Sequence, residues 1–345
     1  MKMDERKQKV LQAIILDYIA TADPVGSRTI AKKYDLGVSP ATVRNEMADL
    51  EDMGFIEQPH TSAGRIPSQI GYRYYVDCLM EKEPVKAEMK EVVRSALVNR
   101  IRETEDLIQF SSRLLSQLTN YTAMVLAPFY GKNILRHIKI LPIEAGKAVM
   151  VIVLDNGHVE HRIMEVPDYL GDDEFSTISA ILNENLRGLT LEQWRPNLMQ
   201  GIYRELNLHT KLLHDVISHI ESHLESSMEY DHDQKVFMGG TLNILNQPEF
   251  KQIDRVKPLL ELLEQEKILK DVLVPVSQSG VTVRIGTENK IEGMKDCSLI
   301  TATYQVEGRV IGTLGVLGPT RMEYSKVIGV VEFLTSALAE ALKKV

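Results

Sequence analysis

Three ingredients of common protein chemistry are scarce in this sequence: cysteine, long apolar runs and positive charge. Its two cysteines, Cys78 and Cys297, stand far apart without metal or redox spacing, which excludes a disulfide framework and suits a reducing compartment. No stretch approaches the ~18 consecutive apolar residues of a membrane span. The opening Met1-Lys2-Met3-Asp4-Glu5-Arg6 lacks the apolar segment of a signal peptide. A cytoplasmic chain without a membrane partner is the expectation. The formal net charge of -8 argues against a protein that coats nucleic acid indiscriminately. It does not exclude a local reader of DNA, for which only the surface facing the phosphates must be positive. Low-complexity tracts and internal repeats are also missing. What remains is a 345-residue chain, 44% hydrophobic and 26% charged, enough for two or three packed domains.

Apolar residues at Val10, Leu11, Ile14, Ile15, Tyr18 and Ile19 give the first segment, 6–21, a helical period. Asp23-Pro24-Val25-Gly26 breaks it, and Ser27 is a candidate N-cap for a short second helix ending near Tyr34. After the turn Asp35-Leu36-Gly37-Val38, Ser39-Pro40 supplies a capping hydroxyl followed by proline at the first helical position. This third helix carries Val43, Met47 and Leu50 on one face and stops at Gly54. Phe55-Ile56-Glu57 reads as a short strand and 59–67 as a loop. Three helices followed by strand and loop are winged helix-turn-helix order.

A fourth helix is expected over 71–82, with Cys78 on its apolar face beside Tyr75 and Leu79, followed by a linker at Glu83-Pro84-Val85-Lys86. The charged helical pattern of 87–119 has the character of a connector. Strands follow at 123–126, 135–141, 148–154 and 159–166, then helical periodicity over 172–229 and 250–270, then strands at 281–285, 297–306 and 309–317 and a closing helix over 325–343. Strands, helices and strands again suggest an α+β fold: one antiparallel sheet interrupted by a mostly helical insertion. The expected boundaries are 1–84, a connector 85–120, a sheet domain of 121–170 and 275–345, and an insert of 171–274.

With Val43, Met47 and Leu50 inward, the third helix turns Ala41, Arg44, Asn45 and Ala48 outward, with Thr42 near its exposed start. Arginine donates two hydrogen bonds to guanine, asparagine pairs bidentately with adenine, and threonine or alanine methyls meet thymine. Ser39 and the helix N-terminus add donors suited to phosphate. The loop from Pro59 to Ser68 contains no acidic residue; His60, Thr61, Ser62, Gly64 and Arg65 are its candidate DNA contacts. The alternatives are a merely solvated helix face and a plain surface loop.

Three stretches, Asp23-Pro24-Val25-Gly26-Ser27-Arg28, Ser39-Pro40-Ala41-Thr42-Val43-Arg44-Asn45-Glu46-Met47 and Gly54-Phe55-Ile56 with Thr61-Ser62-Ala63-Gly64-Arg65-Ile66-Pro67, closely resemble the heat-inducible transcription repressor HrcA family. The resemblance is dense over the N-terminal domain and extends to the length and order of the rest. It implies a winged helix, a GAF-like domain split by an inserted dimerisation domain, and no enzymatic activity. It also implies a homodimer bound to an inverted-repeat operator, CIRCE, upstream of chaperone operons, and activity maintained by the GroE chaperonin. An apolar stripe of Leu208, Leu212, Leu213, Val216, Ile217, Ile220 and Leu224 is a candidate dimer surface or an internal core.

Other signals are weaker. His209, His214, His219 and His223 crowd one helical region, but the ligand set is incomplete and His219-Ile220-Glu221-Ser222-His223 departs from the H-E-x-x-H pattern. No metal, cofactor or catalytic residue is assigned. Asp231-His232-Asp233 reads as a polar turn, and Met238-Gly239-Gly240-Thr241 lacks the lysine of a phosphate loop. Two other readings stand: a winged-helix regulator responding to a small molecule in the GAF-like domain, which requires a ligand-sized pocket there, and a histidine-dependent hydrolase, which requires bound metal.

Overall fold

A computed structural model of the chain describes residues 3–60, 64–98, 104–127, 134–155, 159–168, 170–190, 193, 235–274, 280–306 and 308–343. The fold is α+β with antiparallel sheets, divided into two compact units, 1–127 with 235–345, and 128–234.

The first unit opens with a helical head. Helix α1 (Glu5–Thr21) starts where the Asp4 carboxylate accepts the Lys7 N–H at 2.9 Å. Its period buries Val10, Leu11, Ile14 and Ile15, and Ala22 ends it in the left-handed region. Helix α2 (Ser27–Lys33) is preceded by Gly26, so Ser27 begins the helix and does not cap it. Helix α3 (Pro40–Asp52) starts as its sequence dictates: Ser39 Oγ accepts the Thr42 N–H at 3.1 Å and Pro40 takes the first turn. Strands β1 (Ile56–Glu57) and β2 (Ile66–Pro67) pair antiparallel, and a bridge between Val25 and Arg65 widens this small sheet.

Helix α4 (Gln69–Tyr74) runs into a π turn over Tyr75–Leu79, closed by the Met80 N–H to the Tyr75 carbonyl at 2.9 Å. The wider turn carries Cys78 to the surface, which corrects its expected place in the core. Cys297 is buried, and desolvation pushes its thiol up to about 12. A thiol reagent at neutral pH should therefore label one cysteine per folded chain and both after unfolding. Cys78→Ser should abolish the reaction of the folded protein; fast labelling that survives it would mean that Cys297 is accessible.

The remainder of this unit, its body, is built on five antiparallel strands: β3 (Thr122–Leu126), β7 (Val236–Gly239), β8 (Val281–Ile285), β9 (Cys297–Val306) and β10 (Arg309–Pro319), in the order β7-β3-β10-β9-β8. Period-two alternation sends Ala123, Val125, Ile300, Leu314 and Val316 to one face, against α5 (Ala87–Val98), α6 (Thr104–Thr119) and α10 (Tyr324–Leu342). Met124, Leu126, Leu299 and Leu317 line the other, under α8 (Ile253–Leu263) and α9 (Glu266–Leu273). Apolar side chains thus pack both faces. The expected connector is part of this body: α5 and α6 bury Val93, Leu97, Leu107, Ile108 and Leu115 and leave their charges to solvent.

The second unit contains β4 (Leu135–Glu144), β5 (Lys147–Leu154) and β6 (Val159–Glu165), paired as a meander, and α7 (Asp172–Leu186). Ile138, Ile140, Met150 and Ile152 pack with Phe175, Ile178 and Leu182 in a separate core. Two expectations are corrected. The strands of 135–166 do not join the five-stranded sheet, and the helices of 250–273 do not belong to the insert. Periodicity marks a strand without naming its partner, and consecutive hairpin strands pair with each other first. The insert therefore spans 128–234 rather than 171–274. The stripe of 208–224 and the four histidines lie outside the described residues. The chain leaves and rejoins the body at paired positions: Leu126 opposes Val236, and the Ala127 N–H donates to the Lys235 carbonyl at 2.9 Å.

Candidate nucleic-acid interface

Helix α3 presents two distinct faces. Val43, Met47 and Leu50 are buried, while Ala41, Arg44, Asn45 and Ala48 are exposed. Neither the Arg44 nor the Asn45 side chain makes a hydrogen bond or ion pair among the described residues. Both side chains keep their donors free for a ligand. Ser39 and Thr42 are engaged locally: besides the cap, their hydroxyls lie 3.0 Å apart. In the first turn of α3 Pro40 has no N–H, and the Thr42 and Val43 N–H groups are taken by the Ser39 hydroxyl and carbonyl, at 3.1 and 3.0 Å.

The buried face carries one residue that a purely apolar face would not tolerate. Glu46 is 9% exposed, and its carboxylate lies 3.0 Å from Lys7 Nζ and 3.6 Å from an Arg6 guanidinium nitrogen. Lys7 also reaches Asp4 at 3.0 Å and Asp49 at 3.1 Å. Its ammonium is held well above the ordinary lysine value, by Asp4 first and by Glu46 and Asp49 after it. The start of α1 is thereby fixed to the middle of α3. Asp17, 6% exposed at its side chain, receives Lys33 Nζ at 2.6 Å and ties α1 to α2. These positioning pairs were not singled out from sequence. The available signal was an acid among Val43, Met47 and Leu50, because a buried carboxylate demands a cation.

In the loop beside α3, His60 is exposed, whereas Thr61 and Ser62 lie outside the described residues. Gly64 sits against the head's own backbone: a Cβ there would meet the Val25 carbonyl oxygen at 2.5 Å. Close approach to the Val25 backbone demands glycine at this position. Gly64→Ala should accordingly destabilise the head by about 1–3 kcal/mol through overpacking, measured as a lower urea midpoint; an unchanged midpoint would show that the loop simply moves aside. Arg65 exchanges backbone hydrogen bonds with Val25 at 2.8 and 2.9 Å. Its guanidinium Nε and Nη2 bind Glu51 Oε2 at 2.8 and 2.7 Å. In this structure Arg65 therefore joins the loop to the end of α3, and a minor-groove contact would require it to leave Glu51.

Among the described residues no group of acids, histidines and cysteines is arranged to hold a metal, and no helix is long and apolar enough to cross a membrane. The head thus presents an exposed α3 face whose Arg44 and Asn45 side chains are unpaired among the described residues, and the relatives of this chain are transcriptional repressors. A family profile described as the HrcA protein C terminal domain matches residues 105–328. The heat-inducible transcription repressor HrcA of Pelotomaculum thermopropionicum is 52% identical over 100% of this chain and 98% of its own length. Those of Desulforamulus reducens and Moorella thermoacetica are 46% and 47% identical, each over 100% of this chain and 99% of their own. A crystal structure described only as a hypothetical protein superposes with a TM-score of 0.61 at 23% identity, covering 99% of both chains, and shares the fold. The chain belongs to the heat-inducible transcription repressor HrcA family, whose members are non-enzymatic regulators.

Proposed function

We propose that the head is a winged helix that reads an inverted-repeat CIRCE operator. In this reading α3 enters the major groove, with Arg44 and Asn45 on base edges and Ala41 and Thr42 near thymine methyls. Ser39 and the helix N-terminus lie toward phosphate, and His60, Thr61, Ser62, Gly64 and Arg65 form the wing. The observation that carries the reading is the exposed face of α3, with Arg44 and Asn45 unpaired among the described residues. The body is read as GAF-like and the insert as the dimerisation domain of a cytoplasmic homodimer. One helix reads only a few base pairs, whereas two related by a two-fold axis read a palindrome. GroE chaperonin maintains the active fold in this scheme. Side chains pack both faces of the five-stranded sheet, which supports control through protein contacts over control by a small molecule lodged there.

The test is binding to a CIRCE duplex and to a scrambled duplex at one near-physiological salt concentration, with and without chaperonin. Selectivity of about 10³ or more is expected for an operator reader, together with a gain on adding chaperonin. Equal weak binding to both duplexes would overturn the operator reading. Selective binding that ignores chaperonin would remove only the chaperonin dependence.

A further inference from the structure

The described head is tied to the body at three separated places. On the α4 side, Arg73 Nε donates to Glu288 Oε1 at 2.8 Å and Nη2 to the Val283 carbonyl at 2.6 Å; Nη2 also pairs with Glu288 Oε2. Beside it, Gln69 Oε1 accepts from the Thr287 N–H at 2.9 Å and hydroxyl at 2.8 Å. Gly286, at φ +54°, makes room for this contact, since a Cβ there would meet the Gln69 amide at 2.3 Å. At the far end of α1, Arg321 Nη1 donates to the Ile19 carbonyl at 2.5 Å while Nε holds Glu249 Oε1 at 2.6 Å. Ile19 is in the last turn of α1, where carbonyls have no partner within the helix and a cation is favoured by the dipole. Where the chain passes from head to body, the Glu83 N–H donates to the Ser325 carbonyl at 3.3 Å and Ser325 Oγ to the Glu81 carbonyl.

A single pivot leaves a domain free to swing, whereas several attachments restrict it. Between them the Tyr72 ring meets that of Tyr324 at 5.9 Å, its buried hydroxyl without a hydrogen-bond partner among the described residues. Burial alone would raise the Glu288 carboxyl, yet the Arg73 hydrogen bond, the Ile285 N–H and the Arg73 charge hold it below the ordinary glutamate value. Neither arginine belongs to the exposed face of α3.

From this geometry we infer that Arg73 and Arg321 are positioning residues for operator recognition: they lock each head on its body and so set the spacer length that the paired reading helices accept. The inference rests on the operator-reading dimer proposed above. Inserting one base pair between half-sites moves one by about 3.4 Å and rotates it by roughly a tenth of a turn. A head held to its body follows that displacement less readily than a loosened one.

The experiment uses the full chain, inverted repeats with spacers shortened or lengthened by one to three base pairs, and a single half-site duplex. The unaltered protein should lose about tenfold or more in affinity for one base pair of change, the scale of one lost base contact. In the Arg73→Ala/Arg321→Ala double variant that dependence should flatten to less than about threefold, with half-site affinity unchanged. Spin labels introduced by Asp52→Cys and Lys257→Cys in a Cys78→Ser background, with labelled chains diluted in unlabelled protein, should report one narrow head-to-body distance within the chain, broadened by the arginine substitutions. Should the double variant fail to fold, Glu288→Gln with Glu249→Gln weakens the same contacts while retaining side-chain volume. A folded variant of either kind with the unaltered spacer profile and a narrow distance overturns the positioning role. An unaltered protein that selects the repeat but ignores its spacer overturns it too. Failure to distinguish repeat from scrambled duplex instead overturns the operator reading, and the spacer role with it.

Discussion

Replacing Arg44 and Asn45 together by alanine should lower affinity for each operator half-site by roughly 30- to 10⁴-fold, because each bidentate pair to a base edge contributes about 1–3 kcal/mol. Both side chains are exposed, so stability should stay within about 0.5 kcal/mol of the unaltered protein. That combination separates a reading role from a folding role. Arg44→Ala alone should cost about 1–3 kcal/mol and relax selectivity at a single position of each half-site. Titrations against operator and scrambled duplexes at fixed salt decide the matter. Parallel loss on both duplexes would assign these residues to phosphate and move base reading elsewhere on the head.

A second large effect is expected far from DNA. Ile14 in α1 and Leu334 in α10 are both fully buried and belong to one continuous apolar cluster that runs from the head into the body. Truncating either to alanine should cost about 2–5 kcal/mol through lost burial and the cavity left behind. Because the cluster is shared, each substitution should speed hydrogen exchange in both α1 and α10, as parts of one cooperative unit. Faster exchange confined to α1 in Ile14→Ala would mean that the head opens alone and that the shared core adds little coupling. The paired substitutions thus measure how strongly the helices of the head depend on the integrity of the body.

The local features of the head were legible because they are set by neighbours in sequence. Ser39-Pro40 starts α3, and Val43, Met47 and Leu50 orient it; capping and a 3.6-residue period suffice for both. What could not be read was pairing at a distance. Glu46 finds Lys7, Arg65 finds Glu51, and Arg321 finds Ile19 and Glu249 only after folding. The same limit applies to the sheets: β3 and β4 both present as strands, yet one pairs with β10 and β7 and the other with β5. Strand β7 was missed because its Val236-Phe237-Met238-Gly239 is short and glycine-ended. Cys78 was misplaced for a subtler reason, since a helical wheel assumes a uniform turn and the chain widens to a π turn at Tyr75.

The hydrogen-bonded junction of Ala127 with Lys235 gives the insert an architectural independence. To the body, everything between those residues is the tip of a hairpin joining two adjacent strands, β3 and β7. The entropy of closing such a tip grows only with the logarithm of its length, about 0.6 kcal/mol for each doubling. Residues 128–234 can therefore lengthen, shorten or be exchanged for another module at small thermodynamic cost to the strands that carry them. Variation in 128–234 need not disturb the head, because the strands that carry the insert and the helices of the head are built from other parts of the chain.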